Sequence, residues 1–123
     1  MEQGFPPDTI STDLHPSSIQ LPQVSVPNCI SKLLTLGMTL EDAIRRATGN
    51  PARAIHRYPD LGTLEEGRVA DVAVFELQTG VFAFIDSRLK KRLGNRKLEC
   101  VLTVRDGQIV YDRDGRGFPQ WQA

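Results

Sequence analysis

Histidine is scarce in this chain of 123 residues: there are two, His15 and His56. A catalytic zinc ion takes about three protein ligands, so two separated histidines do not make such a site by themselves. Cysteine is equally scarce. Cys29 and Cys100 form no CxxC pair, and both read as reduced core thiols of a cytoplasmic protein rather than as a disulfide or a zinc pair. Neither sign of charge prevails, since 15 basic and 15 acidic residues leave a formal net charge of +0. That balance excludes the electrostatic footprint of a nucleic-acid or anionic-membrane binder. No apolar run approaches the ~18 residues of a membrane span. The opening stretch from Met1 to Pro7 has no basic region leading into an apolar one, so it does not read as a signal peptide.

What is present is ordinary in bulk, with 40% hydrophobic and 24% charged residues. A chain of this length is one domain or a piece of one. Folding would bury roughly 65–70% of its unfolded surface, enough for a core. Five of the eight prolines fall within the first 27 residues. Pro16, Pro22 and Pro27 make that stretch mainly loop, and only Thr9-Ile-Ser-Thr12 has the β-favouring composition of a short strand. Three helices are expected next. The first runs from Cys29 to Leu36, between Pro27 and Gly37. The second follows the capping box Thr39-Leu-Glu-Asp42 and carries Leu40, Ala43, Ile44 and Ala47 on its apolar side. The third is short, capped by Asn50 and begun by Pro51, and ends near His56. The second half is β in character. It has runs at Val69–Phe75 and Val81–Ile85, then Leu98–Val104 and Gln108–Tyr111 around the turn signal Asp106-Gly107. The basic cluster Arg88-Leu-Lys-Lys-Arg92 reads as a solvated loop, and the tail from Gly115 as irregular or frayed. No repeat of solenoid period is present.

Chemistry concentrates in Pro7-Asp-Thr-Ile-Ser-Thr-Asp13-Leu-His15. Asp13 closes a β-like run ahead of a proline-containing loop. In barrel enzymes, side chains at the C-terminal ends of strands reach the active site. A carboxylate there can bind a divalent metal or move a proton. It can equally form an Asx turn or cap a helix, and both readings stay open on local sequence. His15 follows at a spacing that puts it on the same face of an extended segment as Asp13. His56, beside Arg57 at a helix end, reads as structural. Asp71 interrupts an apolar strand and must be exposed or hydrogen-bonded.

Taken in order along the chain, several segments are similar to a known family. Thr48-Gly-Asn-Pro-Ala52, then Leu61-Gly-Thr-Leu64 with Glu66-Gly67 and Ala70-Asp-Val-Ala-Val-Phe75, resemble the C-terminal signature of the amidohydrolase superfamily. Pro7 to His15, Ser31-Lys-Leu-Leu-Thr-Leu-Gly-Met38 and Lys97-Leu98 resemble its deacetylase-like, dihydroorotase-related members. The likeness runs over residues 4–115. It implies an α/β parent enzyme, a metal-dependent (β/α)8 (TIM) barrel with a small β-sandwich, holding one or two divalent metals, usually zinc. The implied reaction is hydrolysis of an amide, cyclic amide or acetyl ester of a small molecule. The family's aspartate at the end of the eighth barrel strand, which binds metal and shuttles the proton, maps onto Asp13. Ser11, Thr12 and His15 become substrate-side or supporting candidates, and the later strands position without doing chemistry.

The family's His-x-His pair is absent from this sequence. So is a bridging lysine in the right order, since Lys32 follows the aspartate. Asp13 with His15 offers at most two ligands. The expectation is therefore a fragment or remnant: residues 1–58 as the last barrel unit, 59–115 as a sandwich segment and 116–123 as an irregular tail. It would be inactive and metal-free alone, with zinc bound in the complete enzyme. The alternative is a non-catalytic module that docks on a partner or self-associates through uncovered apolar surface.

Overall fold

The computed structural model describes residues 4–21, 23–58 and 60–122. Pro22, placed in a loop by its sequence, and the first three residues of the opening stretch lie outside the described residues. Three helices precede a three-stranded antiparallel meander. They are α1 (Val26–Thr35), α2 (Leu40–Ala47) and α3 (Gly49–Ile55), followed by β1 (Val72–Ile85), β2 (Lys91–Arg105) and β3 (Gln108–Asp112).

Each helix boundary has a local cause. Ser25 caps α1 by accepting the Asn28 N–H, and the helix takes Pro27 into its first turn. It therefore starts three residues before the expected Cys29, because proline's missing N–H has no intrahelical partner there anyway. The end of α1 is a Schellman motif. Gly37, at φ +92, donates to the Leu34 carbonyl and Met38 to the Leu33 carbonyl, with Met38 buried beneath. Thr39 Oγ1 accepts the Asp42 N–H and starts α2. Only half of the expected capping box forms, since Asp42 turns its carboxylate to Arg45 and Arg46. Asn50 does not cap α3. The helix begins at Gly49, after Thr48, and Asn50 lies inside its first turn.

The two expected β runs at 69–75 and 81–85 are one strand, β1. Gly80 lies at a register shift between Thr79 and Phe82 instead of a turn, so a bulge absorbs the glycine without ending the ladder. The basic cluster is only partly loop. Arg88, Leu89 and Lys90 belong to a tight connection in which Asp86 Oδ1 accepts two backbone N–H groups, while Lys91 and Arg92 already belong to β2. Asp106 and Gly107 have φ of +47 and +74, the pattern of a two-residue type I′ hairpin. Asp71 is exposed and accepts the Asp106 N–H at 2.8 Å, tying the entry of β1 to that turn. The tail is not simply frayed. Asp112 accepts N–H groups from Asp114, Arg116 and Gly117.

One apolar cluster joins the helices to the sheet: Ile10, Ile30, Leu34, Met38, Ala43 and Leu98, with Phe75 packed against it. α1 lies on β2. Ser31, fully buried between them, donates to the Pro27 carbonyl at 2.6 Å and accepts the Leu98 N–H at 2.9 Å. At Gly94 an added Cβ would lie 2.2 Å from Thr35 Oγ1, so the close approach of α1 to β2 requires glycine there.

Candidate active site

The expected strand Thr9–Thr12 does not form. A strand needs a ladder partner, and among the described residues this segment finds a helix end instead: the Ile10 N–H donates to the Arg46 carbonyl at 2.8 Å. Two side chains, one from α2 and one from α3, and one core contact hold the stretch before Asp13. The Arg46 guanidinium donates to the Pro7 carbonyl. Asn50 Nδ2 donates to the Asp8 carbonyl at 2.8 Å. The Ile10 side chain enters the shared core.

A second anchor lies on the other side. Ser18 is buried, and its hydroxyl accepts the His15 N–H at 3.1 Å and donates to the His15 carbonyl at 3.2 Å. Between the anchors, Ser11, Asp13 and Leu14 are exposed and Thr12 is half-buried. Asp13 takes a left-handed φ of +51, a region that Asp enters more readily than most residues. Its carboxylate makes no hydrogen bond among the described residues, so the Asx-turn bond is not formed. His15 does not join Asp13: its Nδ1 lies 2.9 Å from the Ser17 hydroxyl.

Among the described residues, no three His, Cys, Asp or Glu side chains gather in a way that could hold a metal ion. One open carboxylate beside an imidazole engaged with serine does not fit a divalent metal on its own, and no reaction step through a metal follows from these residues alone. His56 caps α3 in the left-handed region at φ +56 and is exposed. Lys32 lies on α1, at the rim of a groove with Thr35 and Phe84. The Cys29 thiol is pushed up by burial, with Lys32 pulling the other way. An apolar cavity of about 400 Å³ lies between α1, α2 and β1, lined by Val26, Ile30, Ile44 and Phe75 among others, and none of residues 11–15 borders it.

Nothing in the local sequence marks Arg46, Asn50 or Ser18 for function. Asn50 lies in the Thr48–Ala52 segment, where it reads as helix punctuation. Its partner is 42 residues away, and that of Arg46 is 39 residues away. Asp42 keeps Arg46 in place through a 2.8 Å bond to its Nε. Hydrogen bonds from Arg45 and then Arg46 hold the Asp42 carboxyl below the usual carboxylate range.

Residues 34–111 match the sequence profile described as "Amidohydrolase family". A deacetylase of Brucella anthropi is 38% identical over 77 residues, which is 63% of this chain and 19% of that protein. Among solved structures, an adenine deaminase superposes with a TM-score of 0.82 at 28% identity, and a dihydroorotase with a TM-score of 0.75 at 29% identity. Each covers 90% of this chain, which spans 30% of theirs. The chain therefore corresponds to less than a third of the proteins it matches. The profile match begins C-terminal to Asp13.

Proposed function

The chain belongs to the amidohydrolase family, and from that premise we propose that it forms the C-terminal part of a metal-dependent enzyme hydrolysing a non-peptide C–N bond or an acetyl group of a small molecule. Asp13 is the carboxylate this segment supplies to the site. It takes up and returns a proton at a carboxylate oxygen, and the histidine ligands come from outside these residues. Ser11, Thr12 and His15 flank it toward the substrate. The observation that carries this reading is the likeness, over 90% of the chain, to two enzymes whose names denote chemistry on C–N bonds. Asp13 is exposed and makes no hydrogen bond among the described residues, which leaves it free to serve a site completed elsewhere.

The coding sequence directly upstream of Met1 tests the reading. An in-frame or frameshifted segment encoding His-x-His is expected there, and unrelated sequence would overturn it. In a polypeptide that joins the two parts, Asp13→Asn is expected to lower kcat by about 10²–10⁴, the usual contribution of a positioned acid–base group.

A second reading, a non-catalytic module that docks on a partner or self-associates, draws support from uncovered apolar side chains. Phe5, Leu64, Val81, Leu89 and Trp121 are each more than 80% exposed. A clean, well-folded monomer in size-exclusion chromatography with light scattering would count against self-association.

A further inference from the structure

We infer that Arg46 and Asn50 are positioning residues, a two-point clamp on the backbone of Pro7–Ile10 that fixes where Asp13 projects. The inference rests on the reading of Asp13 as the acid of the site.

Asp13 cannot be placed by a ladder, because its segment has none among the described residues. Its own carboxylate makes no hydrogen bond among the described residues. What fixes it lies upstream. The Pro7 carbonyl accepts from the Arg46 guanidinium, and the Asp8 carbonyl accepts from Asn50 Nδ2. Two consecutive carbonyls are thus held from two successive helices, and Ile10 then closes the segment onto the Arg46 carbonyl and into the core. With Ser18 holding His15 beyond, only residues 11–14 span free between the anchors. Only Ser11 and Thr12 separate Ile10 from Asp13, so slack that the lost clamp passes to Ile10 is carried on to the acid over a short extended span of ~3.3 Å per residue.

The chemistry of the clamp is specific. The Arg46 side chain is 14% exposed and uses different nitrogens for two hydrogen bonds, Nε to Asp42 and Nη1 to the Pro7 carbonyl, with the exposed Asp8 carboxylate 3.9 Å from Nη1. A guanidinium spans both in one plane, and an ammonium on a flexible stem cannot reproduce that fork. Asn50 also has two faces: Nδ2 donates to Asp8, while Oδ1 accepts from Arg53. Asn50→Asp removes the donor and keeps the acceptor, so it separates the clamp from the local helix contact. Asn50→Gln keeps an amide donor on a longer stem.

The test is residue-resolved amide hydrogen exchange on the 123-residue chain, read at Ile10 and compared with Leu98 and Leu102 in β2. Asn50→Asp and Arg46→Lys are each expected to speed exchange at Ile10 by about five- to tenfold, the equivalent of one net hydrogen bond. The β2 amides should stay within about twofold of wild type on the same scale. Asn50→Gln should restore most of the protection. Unchanged exchange at Ile10 in both variants would overturn the clamp, and so would an increase spread equally over β2, which marks general destabilisation. None of these readings involves turnover. An unaltered kcat in Asp13→Asn of the joined polypeptide would instead refute the assignment of Asp13, whatever the exchange data show.

Discussion

Between Lys91 and Arg105, strand β2 hydrogen-bonds to β1 along most of its length and to β3 near its end. Ser11–Leu14 have no such ladder among the described residues, although they follow directly on the buried Ile10. Backbone pairing makes the sheet nearly self-specifying, with tight turns at both hairpins. The proposed chemical segment takes its shape from side chains of α2 and α3, from one buried isoleucine and from the buried Ser18 beyond it. A region that positions can be built from repeated local rules. A residue that reacts must leave its carboxylate free, so its placement is borrowed from neighbours.

The deepest challenge to that contrast is the core the two regions share. Ile30 is 1% exposed and packs in one cluster with Ile10 and Leu98. Ile30→Ala is expected to cost about 2–5 kcal/mol of unfolding free energy, measured by urea titration. Exchange should rise at both Ile10 and Leu98. Loosening at one site alone would show that the two regions do not share a core.

Next in size is Ser31→Ala. It leaves the buried Leu98 N–H without its acceptor, and an unsatisfied buried donor costs about 1–3 kcal/mol. The same denaturation experiment reads it, and a loss below about 0.5 kcal/mol would mean that the N–H finds another partner.

Acid should weaken both regions through different carboxylates. Asp42 is held low by Arg45 and Arg46, and Glu76 by Arg113 and Arg116. Backbone N–H groups, Gly117 foremost, depress Asp112, and Arg113 depresses Asp114. A carboxyl whose folded pKa is depressed contributes stability that is present above its unfolded pKa and is lost as pH falls through the folded value. The loss should therefore begin below about pH 4. All four groups lie in solvent-accessible ion pairs or turns, so the decline should be shallow and weakened further by salt. Protection at Ile10 should fall with Asp42, because Arg46 then loses its partner. A stability profile flat from pH 6 to pH 2.5 would contradict this.

The smallest effect is expected at the proposed chemical residue itself. Asp13 is exposed and makes no hydrogen bond among the described residues, and Asn also tolerates its left-handed backbone. Asp13→Asn should leave stability within about 0.5 kcal/mol of wild type. A larger loss would make Asp13 a structural residue.

What could be read from sequence followed the same divide. Gly37 after the first helix, Thr39 before the second and Asp106-Gly107 in the hairpin act through neighbours a few residues away, so their pattern was visible. In sequence β1 reads as two runs because Gly80 signals a break in isolation, whereas pairing with β2 carries the strand across it as a bulge. Thr9–Thr12 has strand composition but no ladder partner, and composition cannot supply one. Asp13 is legible as a chemical type within a family-like order. The residues that hold its segment, Arg46 and Asn50, act across about forty positions that no local pattern records.

In the proposed function, Asp13 is one corner of a site the chain does not complete. The most direct test is hydrolysis of N-acetylated small molecules, cyclic amides and acetyl esters by the purified chain with and without added zinc, for the wild type and Asp13→Asn. No metal-dependent turnover is expected from either. Metal-dependent turnover by the wild-type chain that vanishes in Asp13→Asn would contradict it.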